Sequence, residues 1–343
     1  MPPHAARPDR HAPTTPGEFA LISRIIKRLG AAAALDILVP PGDDAAIWRA
    51  DSEGVVATID ALTEGTHWRA DTMGFEDVGW RAVTANVSDL AAMGAEPAYL
   101  LVATSLGPSI TPSDVDALVD GLAASCLEHG VRIAGGDVVR GPATMLTIST
   151  IGSATFKDGQ LRALRRNSAR VGDIVAVTGH PGASATGLAA IERGLTDDPD
   201  AAPLVAAHRR PTARVDVARQ AIAEGLSCAI DISDGLLQDC DHIAEASKVG
   251  IEIDAEAIPL HPAAAELLGA DEALTLALGG GEDFELVLVG DRSKLEALAT
   301  DVTVIGRIVD MHPGETVALD AGGSPMSVMR RGWDQLSSSD SAP

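Results

Sequence analysis

Lysine is scarce in this chain: four occur in 343 residues (Lys27, Lys157, Lys248, Lys294). No Gly-Lys dipeptide is present, which excludes a Walker A loop, and neither GxGxxG nor the HRD and DFG triplets of protein kinases occur. Cations are outnumbered, 26 Lys+Arg against 49 Asp+Glu, for a formal charge of −23. A polyanion repels a phosphate backbone, so nucleic acid and anionic membrane surfaces are disfavoured as partners. Cysteine is limited to Cys126, Cys228 and Cys240, without a CxxC pair or a histidine at zinc-ligand spacing. An odd, dispersed set reads as reduced, buried thiols in a cytosolic protein. Long apolar runs are missing too. Pro97–Ser113 and Gly141–Phe156 are broken by Pro, Gly, Ser and Thr, and the first residues (MPPHAARPDRHAPTTPG) hold no apolar core of a signal peptide.

What is present is apolar content, 46% hydrophobic with a mean hydropathy of +0.14, enough to offset the entropy of folding. The length points to two domains. Residues 1–16 and 336–343 are expected to be disordered tails, Pro/Ala/His-rich and Ser/Asp-rich. Helical spacing joins Phe19, Leu21, Ile22, Ile25, Ile26 and Leu29, and recurs over 77–93, 112–129, 184–193, 211–224, 235–248 and 262–268. Strands are expected at 55–59, 99–106, 145–152, 174–178, 251–254, 284–289 and 303–309. A basic connector, Arg162–Asp173, marks a change of composition, and the domain boundary is placed near 155: an N-terminal domain 17–155 and a C-terminal domain 156–335. The fold class is α/β (α+β), two mixed α/β domains.

Most of the 49 acids belong on a solvated surface, but some keep apolar, glycine-rich company: Asp43-Asp44 in PPGDDAAIW, Asp60 after VVATI, Asp89 in ANVSDLAAMGAEP, Asp137 in AGGD, and Asp231 and Asp234 in AIDISDGLL. For any one of them a cap or turn role is the ordinary reading. Five such segments, with no lysine near, point instead to hard divalent cations, namely Mg²⁺, and the dispersed spacing does not match an EF-hand loop. Glycines flank them (Gly135-Gly136, Gly182, Gly187, Gly279-Gly280-Gly281), where backbone can approach phosphate oxygens.

Taken together, GEFALISRI, PGDDAAIW, TIDALTEGTHW, NVSDLAAMGAEPAYL, AGGDVVRGP, TGHPGASATGL, HRRPTARV, AIDISDGLLQDCDHIAEAS, LGGGEDFELV and RRGWDQL run in order over 17–335. This ordered set resembles the thiamine-monophosphate kinases, within the aminoimidazole-ribonucleotide synthetase-like superfamily. The resemblance implies ATP-dependent phosphorylation of thiamine monophosphate to thiamine diphosphate by a cytoplasmic, Mg²⁺-dependent homodimer whose N-terminal sheets pair. It places several Mg²⁺ ions on Asp44, Thr58, Asp60, Asp89, Asp137, Asp231 and Asp234, with Asp43 supporting Asp44. ATP contacts fall on Gly136, Asp137, Arg166 and Ser233, and substrate contacts on His67, Glu282 and Trp333. No covalent nucleophile or general base is implied. Two departures stand out: Thr58-Ile59-Asp60 replaces a Ser/Thr-Thr-Asp, and the family's tyrosine before GGD is missing, the sole tyrosine being Tyr99. The rival readings are an amidine-forming ligase or selenophosphate synthetase of the same superfamily, the latter disfavoured because the first cysteine is Cys126, and a non-catalytic Mg²⁺/nucleotide-binding module.

Overall fold

The structure, a computed structural model, describes residues 37–39, 46–50, 53–298, 302–311, 313–328 and 331–333. The expected helix over 19–29, the two expected tails and the Asp43-Asp44 pair lie outside the described residues.

In the N-terminal half, strands β1 (Ile37–Val39), β2 (Ala46–Ala50), β3 (Glu53–Thr63), β4 (Glu96–Leu106), β5 (Arg132–Arg140) and β6 (Met145–Ser153) form one sheet in the order β1-β2-β3-β6-β4-β5. All neighbours are antiparallel except β4 and β5. Strand β4 alternates buried and exposed residues, as a sheet covered on one face requires. The cover is α1 (Phe75–Ala92) and α2 (Pro112–Glu128). Helix α2 starts on a capping box, Thr111 with Asp114, and Pro112 occupies its first turn. The two helices approach to backbone contact at Gly79 and Gly121: a Cβ on Gly79 would collide with the Leu118 carbonyl, and one on Gly121 with the Glu76 carbonyl.

A small hairpin, β7 (Thr155–Lys157) and β8 (Gln160–Arg162), leads through a 3₁₀ turn (Arg166–Ser168) to the second half. There β9 (Ile174–Thr178), β10 (Cys228–Asp231), β11 (Gly250–Asp254), β12 (Leu286–Gly290), β13 (Val302–Val309) and β14 (Thr316–Leu319) pair in the order β10-β12-β9-β13-β11-β14. Around them lie α3 (Ala183–Glu192), α4 (Ala201–Arg209), α5 (Val215–Ala223), α6 (Leu236–Ser247), α7 (Pro262–Leu268), α8 (Ala270–Gly279) and α9 (Arg292–Glu296). The strands expected at 55–59, 99–106, 145–152, 251–254 and 303–309 are present and longer by one or more residues, 174–178 has the expected bounds, and 284–289 is found shifted to 286–290. Strands β1, β5, β7, β8, β10 and β14 and helices α4, α8 and α9 were not expected from the sequence.

One core fills the sheet of the second half (Val175, Ile230, Leu237, Ile251, Val287) and another the first (Val83, Val87, Leu100, Leu118, Ile148). A third joins them: Ala91 and Ala92 of α1 pack with Ala218, Ala221, Leu286 and Leu288. Helix α1 therefore buries twelve of its eighteen residues, between its own sheet, α2 and the second half. The three cysteines are buried and none is in a disulfide, as expected.

Candidate active site

A cleft of about 880 Å³ opens where α1 and β3 face the loops of the second half. Small residues at 82, 85 and 89, the helical spacing of one face, keep that side of α1 low: Ala82, Ala85 and Asp89 all line the cleft. From the facing strand, Thr58 and Asp60 project to the same side. Thr58 Oγ1 donates to Asp89 Oδ2 at 2.5 Å. One residue earlier on the helix, Ser88 Oγ donates to Asp231 Oδ2 at 2.6 Å in a fully buried bond between the two halves. Asp231 ends β10, and Ser233 and Asp234 follow it in the same cleft.

That Ser233-Asp234-Gly235 turn is held by Asp239, whose Oδ2 accepts the backbone N–H groups of all three at 3.0 to 3.1 Å. Burial, and then the charges of Asp234 and Asp231, push the Asp239 carboxyl well above the usual carboxylate range. Asp239 also lies in a cluster with Asp234 and His242 at metal-ligand separation. Its three backbone bonds give it a loop-holding role that the sequence reading did not identify.

The opposite wall is the Gly279-Gly280-Gly281-Glu282 turn. Glu282 has φ +66°, a left-handed conformation unusual for a residue with a side chain, and its N–H donates to the Ser233 carbonyl at 2.7 Å. Gly281 faces that same turn so closely that a Cβ would collide with the Ser233 oxygen. The glycines expected to bring backbone to phosphate thus also bring the two loops to each other. Trp333 is tied to this assembly, its N–H donating to Asp234 O at 3.0 Å and its carbonyl accepting from Gln238 Nε2 at 2.7 Å.

His67 lines the cleft beyond β3, and its Nδ1 accepts the Thr63 N–H at 3.0 Å. The proton of the neutral ring is therefore on Nε2, leaving a donor on that edge. Arg166 also lines the cleft. Ser184, between Gly182 and Gly187, and His208 add a polar wall: Ser184 Oγ lies 3.3 Å from His208 Nδ1, and burial, aided by nearby arginines, pushes this histidine down to about 2. It is neutral throughout the physiological range. Behind them Asp283 accepts the N–H groups of Gly182 and Ser184, with its carboxyl pushed up by burial to about 7.

The cleft thus brings together Thr58, Asp60, Asp89, Asp231, Asp234, Ser233, Arg166, His67, Glu282 and Trp333 of the expected residues. Gly136 and Asp137 are not among its lining. Asp60 pairs across the sheet with Ile148, and Ile148 with Val102, both buried under the helices. Asp137 instead pairs with exposed Ala103, on the open face. Two strands, β6 and β4, separate β3 from β5, so Asp60 and Asp137 stand about 14 Å apart on strand spacing alone. That open face carries Ile59, Tyr99 and Leu101 at 65%, 44% and 45% exposure. Tyr99 stands there under the Arg132 guanidinium, 5.1 Å from its ring centre, away from the cleft lining.

Thr58, Asp60, Asp89, Asp231 and Asp234 offer the cleft hydroxyl and carboxylate oxygens, donors that suit Mg²⁺ rather than a softer metal. Two models of the family described as "AIR synthase related protein" match the chain, the N-terminal domain over 42–154 and the C-terminal domain over 170–317. The thiamine-monophosphate kinase of Salmonella typhimurium is 36% identical over 330 residues, covering 93% of this chain and 98% of the relative. The chain belongs to the thiamine-monophosphate kinase family. Among solved family structures, that of AaThiL complexed with AMPPCP and TMP superposes with a TM-score of 0.81 at 30% identity, covering 93% of this chain and 96% of that one. The family member from Stenotrophomonas maltophilia matches with a TM-score of 0.73 at 36% identity, over 90% and 98% of the two chains.

Proposed function

We propose that this chain phosphorylates thiamine monophosphate with ATP, giving thiamine diphosphate and ADP. The observation that carries the reading is the single cleft in which the oxygen donors of β3, α1 and the 231–234 turn face His67, Glu282 and Trp333. Family membership and the likeness to AaThiL, solved with AMPPCP and TMP, support it.

In the reaction a phosphate oxygen of the acceptor forms a bond to the γ-phosphorus of ATP as the bond to the β,γ-bridging oxygen breaks, in line and without a phosphoenzyme. With a second pKa near 6 the acceptor is already largely ionised at neutral pH, so no strong base is needed. The obstacle is repulsion between two polyanions. Mg²⁺ held by Thr58, Asp60, Asp89, Asp231 and Asp234, with Asp44 completing the set, would supply the neutralising charge. Arg166 and Ser233 hold ATP phosphates. His67, through Nε2–H, and Glu282 hold the acceptor, and Trp333 offers a face for the cationic thiazolium or the pyrimidine.

Asp137 and Gly136 join the site from a second copy of the chain. Ile59, Tyr99 and Leu101 leave an apolar patch on the open sheet face beside Asp137, and an isologous pairing of two such faces covers it. Domain limits of 17–155 and 156–335 complete the reading.

Asp89→Asn and Asp137→Asn test the metal site, assayed with ATP, thiamine monophosphate and excess Mg²⁺. Losses of about 100-fold or more in kcat are expected for each. Near-wild-type turnover in both contradicts the reading.

A further inference from the structure

Arg81 is the largest fully buried side chain among the described residues, at 0% exposure in the middle of α1. Its Nη2 forms an ion pair with Glu282 Oε2 at 2.5 Å, and none of Nε, Nη1 and Nη2 makes a hydrogen bond of good geometry among the described residues. Burial lowers the guanidinium pKa, opposed by the charges of Glu282 and then Asp283. A guanidinium stays charged in proteins, and burying one with so few acceptors is costly. A leucine or methionine would pack there at less cost, so the charge calls for a reason.

Glu282 supplies one. Its backbone is in a left-handed conformation, tied to the Ser233 carbonyl, and its side chain reaches the cleft with 32% exposure. A glutamate on such a turn has three side-chain torsions free to rotate, and water on one side competes for its charge. Arg81 removes that freedom. It comes from the other half of the molecule, seven residues before Ser88 on α1, so one helix face sets both Glu282 and Asp231.

We propose that Arg81 is a positioning residue for the acceptor substrate: it fixes the Glu282 side chain in one orientation, ready for a cationic or N–H-donating heteroaromatic ring. The role rests on the kinase reading of the same cleft. Arg81 is fully buried and does not line the cleft. Its effect reaches the reaction through Glu282, hence through binding of thiamine monophosphate.

The test uses the full chain carrying Arg81→Met, Arg81→Lys, Glu282→Gln and Arg81→Met with Glu282→Gln, with KM measured separately for thiamine monophosphate and ATP. Thermal denaturation records stability. Arg81→Met is expected to raise KM for thiamine monophosphate about tenfold or more, with KM for ATP within about twofold. Arg81→Lys, which keeps the charge but loses the planar fork, is expected to fall between wild type and Met. Added to Glu282→Gln, Arg81→Met is expected to shift that KM by less than about twofold, because the two act as a unit. If Arg81→Met does not fold, Arg81→Lys alone decides: an unchanged KM for thiamine monophosphate overturns the proposal. So do equal rises for both substrates, or multiplicative effects in the double variant. Wild-type protein that fails to turn over thiamine monophosphate overturns the kinase reading and the substrate assigned here. Active wild type with unshifted Arg81 variants overturns the role of Arg81 alone.

Discussion

Ser88 Oγ and Asp231 Oδ2 meet at 2.6 Å in the interior, 143 residues apart in sequence. The neighbouring residue, Asp89, takes the Thr58 hydroxyl at 2.5 Å. Consecutive residues of α1 therefore set two acids from different halves, and the spacing between the oxygen donors of the cleft follows from one rigid helix. Ser88→Ala removes a bond to a carboxylate, a contribution of about 1.5–3 kcal/mol. A lower melting temperature and a higher Mg²⁺ concentration for half-maximal turnover are expected, read by thermal denaturation and Mg²⁺ titration of the rate.

Asp239 holds the 233–235 turn by three backbone N–H groups. Asp239→Ala leaves them without that acceptor, and a loss of about 3 kcal/mol or more in stability is expected, with a fall in kcat. Asp239→Asn keeps one carbonyl oxygen there and should lose less. Chemical denaturation and steady-state kinetics on the two variants give the comparison.

Asp283 gives a pH dependence of defined sign. Its folded pKa, about 7, lies above the ordinary value of 3.8, so the native state holds a proton that the unfolded chain releases between these values. Its contribution to stability is present below about pH 4 and is lost as pH rises towards 7. Asp283→Asn carries no such term. The melting temperature of wild type relative to Asp283→Asn should therefore fall from pH 4 to 7 and level off above, as measured by scanning calorimetry across that range.

The helix contact at Gly79 and Gly121 allows no side chain. Gly79→Ala or Gly121→Ala is expected to push α1 from α2, at about 1–3 kcal/mol by overpacking, and to disturb Asp89 on the same helix. Loss of melting temperature together with loss of kcat is the expected result.

Asp60 and Asp137 sit on opposite faces of one sheet, and the proposed site draws them from different subunits. Mixing Asp60→Asn with Asp137→Asn under subunit exchange should restore about a quarter of wild-type activity, because half the dimers are mixed and each has one intact site. No recovery contradicts the pairing.

Much of the alternation of strands and helices was legible because its periods are strong. Helix α4 was not: AAPLVAAHR has weak contrast between its faces and a proline in its first turn. Strand β5 was hidden by its exposure on both faces and by Gly135-Gly136. In the site, aspartates in apolar segments could be picked out singly, since buried charge is anomalous wherever it occurs. Ser88, Arg81 and Asp239 gave no comparable signal. Serine and arginine are ordinary in a helix, and their partners come from distant parts of the chain. The separation of Asp137 from the other acids was not legible either, since strand order, which no local pattern encodes, puts β6 and β4 between it and Asp60.

The most direct measurement is the product balance of the purified chain with ATP, Mg²⁺ and thiamine monophosphate, followed by chromatography. One thiamine diphosphate for each ADP, with no free phosphate and no turnover without the acceptor, is the expected result. ADP or phosphate released without thiamine diphosphate would contradict the proposed activity.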